Sequence, residues 1–349
     1  MWQPSLGNFS LPITSARRTT QVVFDEGLGL VFNFNQDEAQ SRFNATIMAE
    51  PKSCAMCWWG VAYAHAPFLN HPYGRHPADA VIGLAAAAHA AHLASSSKLP
   101  AKEAGLIGAM ATRFPASGGN WTAAAARYVA SLSALRAALP DDVDVQVFLA
   151  EALMLTMCRS DGYHFYHADG TPRANTKRAE ELLLHAMAAE GATLHPFAPH
   201  LYIHLTEPSA PSNASGPVVN RSASGAARGL PSAELLASHL ASTDAQHLLH
   251  MPAHVYLRVG RYRDAWYQNE KIAHRADAAY LSHGQVPYAP AHDVAFGLYG
   301  ACMAGMRSAA LRSSHTLRGI YQAYPDRPDG PGPEMGWSLQ VRNLADLLL

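Results

Sequence analysis

The chain has 349 residues and a formal net charge of −1, from 26 lysines and arginines against 27 aspartates and glutamates. This balance argues against nucleic acid or an anionic membrane surface as a partner. Hydrophobic residues make up 49% of the chain and charged residues 15%, which is enough apolar material for a packed core, and the length suits two domains or one extended array.

A helical repeat begins near the start of the chain. Five residues of the segment 24–51 fit a repeat frame of 34 residues. Positions 8, 11 and 20 hold a glycine, a large apolar residue and an alanine. Positions 24 and 32 hold an aromatic residue and a proline. They are Gly27, Leu30, Ala39, Phe43 and Pro51. This series is typical of the helical hairpin of tetratricopeptide (TPR) repeats.

The segment that follows contains a cysteine pair and an apolar run. Cys54 and Cys57 have C-x-x-C spacing, but no second such pair completes a tetrahedral sulfur site, so we interpret both as small buried apolar residues of a helix. The run 81–94 is interrupted by His89 and His92 and is too short to cross a bilayer.

Three histidines between these features are interpreted as surface or loop residues. They lie among prolines and lack helical spacing, and they are His65, His71 and His76.

Weaker copies of the repeat follow. Residues 144–154 predict the first helix of a hairpin, residues 178–189 a second helix that ends before Gly191, and residues 199–205 the next first helix. A later copy is clearer, and its residues at positions 8, 11 and 20 are Ala253, Tyr256 and Ala265. The predicted fold is all-α, a TPR-like α-solenoid of antiparallel helical hairpins.

The predicted organisation has four parts. N-terminal repeats occupy residues 1–113, central helical repeats 114–205, a flexible insertion 206–232, and C-terminal repeats 233–349. The insertion is rich in proline, glycine and serine and carries no hydrophobic period, which predicts a mobile surface loop. The last residues, Leu347 to Leu349, offer no polar cap, so we expect the repeat array to be truncated here or to dock elsewhere.

Two histidine motifs stand about fifty residues apart. His200 and His204 form the first pair, and His250 and His254 form the second. Each pair is four residues apart in a predicted helix and therefore shares one helical face. In the repeat frame both pairs fall at positions that line the concave groove of a solenoid. Two further residues at groove positions are His247 and Glu151.

Flanking residues extend this candidate site. Glu207 follows His204 by three residues, a spacing that helix-borne metal sites use. His292 opens the next predicted helix, and a neighbouring carboxylate such as Asp293 can orient a ligating imidazole. Pro252 either kinks a helix or forms its first residue, in which case His250 lies in the preceding loop.

These segments resemble a family of TPR proteins, common in bacteria, over most of residues 20–300. The likeness rests on Phe34-x-x-Asp37-Glu38-Ala39, Cys54-Ala55-Met56-Cys57-x-Trp59-Gly60, Ala150-Glu151-Ala152-Leu153-Met154, Asp169-Gly170-x-Pro172, His200-Leu201-Tyr202-Ile203-His204-x-x-Glu207 and His250-Met251-Pro252-Ala253-His254-x-Tyr256. The family usually has His-Asn where this chain has His292-Asp293, and its loop between the two histidine motifs is shorter. The resemblance implies the repeat fold and the histidine motifs, and it implies no established reaction.

The leading hypothesis is a transition-metal site. Its predicted ligands are His200, His204, His250, His254 and His292. Imidazole ligands suit copper, zinc or iron rather than magnesium or calcium. Glu151 and Glu207 are the candidate catalytic residues, since a carboxylate beside an open metal position can act as general base in a metal-dependent hydrolase or oxidoreductase.

Two alternatives remain open from the sequence. In the first, the chain is a scaffold whose groove binds a peptide or protein partner or a small molecule without catalysis, and the histidines are polar contacts. In the second, the histidines satisfy hydrogen bonds between packed helices. The spacing does not address the oligomeric state.

The compartment is also left open. The N-terminus lacks the basic and apolar segments of a secretory signal, which favours the cytoplasm. Five N-x-S/T sequons leave a secretory route open. Their asparagines are Asn8, Asn44, Asn120, Asn213 and Asn220.

Overall fold

The structure is a computed structural model that describes residues 2–115, 120–189, 195–209 and 225–323. Nearly all regular structure in these ranges is helical, so the predicted all-α fold of packed helical hairpins is confirmed. The chain divides into two compact units. The N-terminal unit comprises residues 8–158 and 174–198, and the C-terminal unit comprises residues 1–7, 159–173 and 199–349. The boundaries predicted after residues 113, 205 and 232 separate groups of repeats, and they stay predictions.

The N-terminal unit is built from consecutive helices that pack against one another. They are α1 (Arg18–Phe32), α2 (Gln36–Ala49), α3 (Ala55–Ala64), α4 (Asp79–Ser95), α5 (Ala101–Met110), α6 (Trp121–Ala138), α7 (Val143–Leu155) and α8 (Ala174–Ala188). Helix α1 packs on α2, α3 on α4, and α7 on α8. Two strands of two residues each lie between α7 and α8, β1 (Cys158–Arg159) and β2 (Gly162–Tyr163).

The first predicted repeat is the hairpin of α1 and α2. Phe43 on α2 is fully buried, and two glycines lie against its ring. A Cβ atom on Gly27 would lie 2.7 Å from Phe43 Cε1, and one on Gly60 would lie 2.3 Å from Phe43 Cδ1. The glycine at position 8 of the repeat and Gly60 on α3 therefore let two helices approach the same aromatic ring.

We expect the change Gly60→Ala to destabilise the protein, because the added methyl group overlaps a ring that is buried on all sides. Overpacking of this kind costs about 1–3 kcal/mol. The matched control is Gly108→Ala, in the interior of α5, where a Cβ meets nothing within 4 Å, so that the change should be neutral or stabilising. Urea unfolding of both variants measures the difference, and equal midpoints for the two would contradict this packing.

The cysteine pair is bonded. Cys54 caps the N-terminus of α3 and forms a disulfide with Cys57, with a Cα–Cα distance of 5.3 Å. Both residues are fully buried, as expected, but the interpretation as unbonded apolar residues is wrong. The first turn of a helix brings residues three apart within disulfide range.

The three histidines that were interpreted as surface or loop residues lie in the connection between α3 and α4, as predicted for a loop, but two of them are not at the surface. His65 and His71 are each 7% exposed, and His65 Nδ1 lies 2.8 Å from Asp79 Oδ1. His76 is exposed, as predicted. The connection between α3 and α4 folds back on itself through a bridge between Phe68 and His71, so the first part of a proline-rich segment without helical spacing is nevertheless buried.

The C-terminal unit contains most of the second half of the chain. Its elements are α9 (Phe197–Thr206), a 3₁₀ turn (Ala226–Gly229), α10 (Leu230–His239), α11 (Gln246–His250), α12 (Pro252–Arg258), α13 (Tyr262–Tyr267), a π-helical segment (Gln268–Ala273), α14 (His274–Ser282), α15 (Pro290–Met303) and α16 (Arg307–Ala323). A core of apolar side chains joins α9 to α15, and it includes Ile203, Leu236, Leu249, Val255 and Phe296.

Pro252 is the first residue of α12. A proline is tolerated there because its missing N–H would have no partner within the helix. Met251 has helical backbone angles, so α11 leads directly into α12. His250 is consequently the last residue of α11 and not a loop residue.

The predicted insertion lies partly outside the described residues, since 210–224 are not among them. At its C-terminal end the prediction of a loop is wrong. Residues 226–229 form the 3₁₀ turn, and Pro231 lies in the first turn of α10. Ser232 is buried. Proline acted here as a helix start and not as a breaker.

The later repeat predictions are confirmed. Helices α7, α8 and α9 lie where first and second helices were predicted. Gly260, with φ of +81°, makes the turn from α12 to α13 in the left-handed region that favours glycine. Within the described ranges, no helix is both long and apolar enough to cross a membrane. The prediction about residues 347–349, that the repeat array is truncated there or docks elsewhere, concerns residues outside those ranges.

Candidate metal centre

Six histidines from four helices meet in the C-terminal unit. Helix α9 carries His200 and His204, α11 carries His247 and His250, α12 carries His254, and α15 carries His292. Among the described residues, their nitrogens fall into two groups of three in which the ligand atoms all lie within 4.8 Å of one another. We call His200, His204 and His247 the first triad, and His250, His254 and His292 the second triad.

Both pairs with i,i+4 spacing bring their Nε2 atoms together. The Nε2 atoms of His200 and His204 are 3.1 Å apart, and those of His250 and His254 are 2.9 Å apart. Two nitrogens that each lie about 2.0–2.1 Å from one ion are roughly 2.9–3.4 Å apart at square or tetrahedral angles. Both separations therefore suit two ligands of one metal ion.

The two triads are neighbours. The ring centroids of His247 and His250 are 5.7 Å apart, and those of His204 and His254 are 5.9 Å apart. One ring of each triad thus lies next to a ring of the other at two places. The six imidazoles form a single cluster, which we call the six-histidine cluster.

The cluster is enclosed. Four of its histidines have no exposed surface, and His254 and His292 are 4% and 2% exposed. Three aromatic rings pack against it: Tyr163 against His204, Tyr288 against His247, and Phe296 against all of the second triad. The expectation that these positions line an open groove is therefore wrong for the histidines, because side chains from β2, α15 and the segment before it cover them.

Hydrogen bonds behind the second triad fix the tautomers of two of its histidines. Asn269 donates its Nδ2–H to Ala265 O at 2.9 Å, which leaves Asn269 Oδ1 as the acceptor facing His250 Nδ1 at 2.6 Å. His250 Nδ1 therefore carries a hydrogen. Glu207 Oε2 lies 2.9 Å from His254 Nδ1, so that nitrogen also carries a hydrogen. In their neutral forms both histidines point an Nε2 lone pair toward the other.

Asn269 lies in the π-helical segment. A π-helical turn shifts the register of side chains within a helix and occurs often at functional sites. Here it belongs to the long helix that spans 262–282, and Asn269 is 1% exposed. Helices α12 and α13 belong to the predicted later repeat. The spacing of the residues in that repeat did not indicate that a π-helical turn, which contains one extra residue, follows α13.

Burial keeps four of the six imidazoles neutral. Burial lowers the pKa values of His204, His247 and His250 well below the ordinary imidazole value, and the neighbouring imidazoles lower them further. Burial also lowers the pKa of His292 to about 3. These four side chains are unprotonated at neutral pH, which is the form that binds metal ions.

Glu207 lies beside the second triad. Burial acts to raise the pKa of its carboxyl group, but His254 and Arg258 outweigh burial and hold that pKa below the ordinary value. The carboxylate receives the Nδ1–H of His254 and lies 3.3 Å from Arg258 Nη2. In this contact Glu207 orients a histidine, and its predicted role as a general base stays a prediction.

Glu151, the other predicted catalytic residue, belongs to the N-terminal unit. It is 1% exposed and forms an ion pair with Arg113 at 3.2 Å. Its Oε2 accepts a hydrogen bond from Tyr63 at 3.0 Å. Glu151 belongs to neither triad, and its catalytic role stays a prediction.

The remaining flanking residues are brought to the cluster. His292 is a member of the second triad. Asp293 Oδ1 lies 3.3 Å from His250 Nδ1, but that nitrogen donates its hydrogen to Asn269, so the predicted role of Asp293 in orienting an imidazole stays a prediction. His247 is a member of the first triad although it was left out of the predicted ligand set, and its groove position in the repeat frame was the signal that could have included it.

Comparisons with known proteins add little beyond these observations. No family model matches the chain, and no curated protein matches it significantly. Among solved structures, the chain is similar to the TPR domain of P58(IPK), with 12% identity, coverage of 95% of this chain and 88% of that chain, and a TM-score of 0.23. The assignment to the all-α helical-repeat class therefore rests on the packing of the helices themselves.

Proposed function

We propose that this protein binds a transition metal, copper, zinc or iron, in the six-histidine cluster of its TPR-like C-terminal unit. The observation that carries the proposal is the contact between His250 and His254. Their Nε2 atoms are 2.9 Å apart, and each Nδ1 already faces an acceptor. Two lone pairs at this distance repel unless a cation lies between them.

That cation is either a metal ion or a shared proton. A shared proton accounts for two nitrogens and needs no third. His292 supplies a third nitrogen within 4.8 Å of the other two, and the first triad repeats the arrangement with three more. Convergent imidazoles oriented from behind by a carboxylate or amide are the usual construction of a metal site. We therefore favour a metal ion.

Both alternatives fit these contacts less well. A peptide in an open groove cannot touch histidines that are 0–4% exposed. Histidines that only satisfy hydrogen bonds of the core would pair donors with acceptors, whereas His250 and His254 pair two acceptors. Three imidazoles leave positions on the ion for water or oxygen, so the proposal extends to a metal-dependent hydrolase or oxidoreductase.

Elemental analysis tests the proposal. We expect the full chain, reconstituted with copper, zinc or iron and desalted, to retain one of these metals near stoichiometry. The variant His200→Ala with His254→Ala removes one ligand from each triad and should lose most of it. The matched control replaces the two exposed histidines His239 and His315 with alanine and should retain it.

Two results would overturn the proposal. The first is no retained ion with any of the three metals. The second is equal retention by the His200→Ala, His254→Ala variant and the wild-type chain, with circular dichroism showing unchanged helicity.

A further inference from the structure

We propose that the six-histidine cluster is a dinuclear centre, with one copper ion in each triad. This inference rests on the proposed function, because it assumes that the cluster binds metal. It differs from the site with one ligand set, His200, His204, His250, His254 and His292, that the sequence predicts.

The number of ligands is the first argument. A first-row ion in a protein takes three or four protein ligands as a rule. The cluster offers six imidazoles, and their nitrogens fall into two sets of three. Each set contains one i,i+4 pair with Nε2 atoms at 2.9 Å or 3.1 Å, which by itself suits two ligands of one ion. One ion would occupy only one of these two sets.

The position of the third ligand is the second argument. His247 precedes the pair on α11 and α12 by three residues but lies with the pair on α9 in the first triad. The second triad receives His292 from α15 instead. Each triad therefore has a pair from one helical segment and a third histidine from another. Each triad is therefore a complete ligand set, and neither triad consists of histidines left over from the other.

The distance between the triads is the third argument. Rings of the two triads approach to centroid separations of 5.7 Å and 5.9 Å. Ions that share a bridging oxygen ligand in two-metal sites lie about 3.5–4 Å apart. Because rings of the two triads lie side by side, an ion in each triad would be the neighbour of the other, and the proposal is that one small ligand, such as hydroxide or dioxygen, can touch both.

The chemistry of the donors favours copper. All six donors are imidazoles, which bring no negative charge, and the cluster is enclosed by Tyr163, Tyr288 and Phe296. A high positive charge is costly in such surroundings. Copper(I) brings one charge per ion, and three nitrogens complete its coordination, whereas zinc carries two charges and needs a fourth ligand.

Copper stoichiometry of triad variants tests the inference. The full chain is loaded with copper(I) without oxygen and desalted, and copper per chain is measured. We expect about two ions in the wild type, about one when His200 and His204 are both alanine, about one when His250 and His254 are both alanine, and none when all four are. The variant lacking exposed His239 and His315 should bind two.

The outcomes separate this inference from the proposed function. No copper in the wild type, nor zinc or iron in the same assay, overturns both. One copper per chain overturns the dinuclear centre and leaves the metal site standing. Loss of all copper when only one pair is removed would also overturn the dinuclear centre and leave the metal site standing. A single site built from both pairs requires each of them.

A second measurement needs no variant, so misfolding of the substituted chains cannot obscure it. Copper(II) ions this close couple magnetically. Electron paramagnetic resonance of the wild-type chain, loaded with two copper(I) ions and then oxidised to copper(II) by air, should show either far fewer spins than copper atoms or a dipolar-split signal. Two full spins per chain without splitting would overturn the close pair.

Discussion

Replacing Arg113 with methionine should produce the largest loss of stability in the N-terminal unit. Arg113 is 3% exposed, and it binds Glu151, the Tyr128 hydroxyl at 3.1 Å and Pro67 O at 2.7 Å. Its removal leaves a buried carboxylate without a countercharge, which costs about 3–5 kcal/mol when one partner of a buried pair is lost. Urea unfolding measures the change.

The partner substitution provides the control. Burial raises the pKa of Glu151, and Arg113 and Tyr63 only partly offset it. The double variant Arg113→Met, Glu151→Leu should recover most of the lost stability, because it removes both charges. A loss below about 1 kcal/mol in the single variant, small for a buried pair, would show that the ion pair contributes little.

The same double variant tests the predicted role of Glu151. Its metal content should equal that of the wild type if Glu151 serves only the ion pair. A fall in metal content at unchanged helicity would instead support the sequence-based prediction that Glu151 acts at the metal site.

Metal loading should give the largest gain in stability. A ligand that binds only the folded state stabilises it by about 2.7 kcal/mol when its free concentration is 100 times its dissociation constant. Two ions should therefore add roughly 5 kcal/mol under these conditions. Thermal unfolding with added copper(I), and again after chelation, measures the gain and its reversal.

The variant with alanine at His200, His204, His250 and His254 is the control for this effect. It should unfold at the same temperature with and without the metal. Equal midpoints for the loaded and chelated wild-type chain would contradict stabilisation by a bound ion. If the unfolding midpoint of the variant shifts by the same amount, the stabilisation comes from metal bound to exposed histidines and not from the cluster.

Much of the fold was predictable because its signals are local. Gly27 and Phe43 stand at fixed positions of one repeat, and the structure places them in contact. Gly260 and Ala265 likewise mark a turn and a buried helix face. Each of these signals lies within about 34 residues, the span of one TPR repeat, so the sequence alone can show it.

The candidate site was predictable only in part. Helical spacing paired His200 with His204 and His250 with His254, since an i,i+4 contact depends on one helix. The division into triads depends on packing between helices. His247 joins the pair on α9, and Asn269 reaches His250 through a π-helical turn. Neither relation has a local signal.

The solvent exposure of the side chains was the other property that the spacing of residues in the sequence did not predict. The repeat frame places the histidines on the face of a groove, but Tyr163 and Tyr288 come from segments outside the regular helices and cover them. His65 and Asp79 show the same limit, because the irregular connection that buries them carries no period. Side chains supplied by irregular segments are therefore where the sequence was least informative.

X-ray absorption at the copper edge of the loaded full chain tests the central claim most directly. The account predicts about three imidazole nitrogens per copper at roughly 2.0 Å, with no sulfur and with a second metal nearby. The thiols of Cys158 and Cys302, which form no disulfide, offer the competing ligands. A sulfur shell at roughly 2.3 Å, or a spectrum that persists when the four paired histidines are alanine, would contradict it.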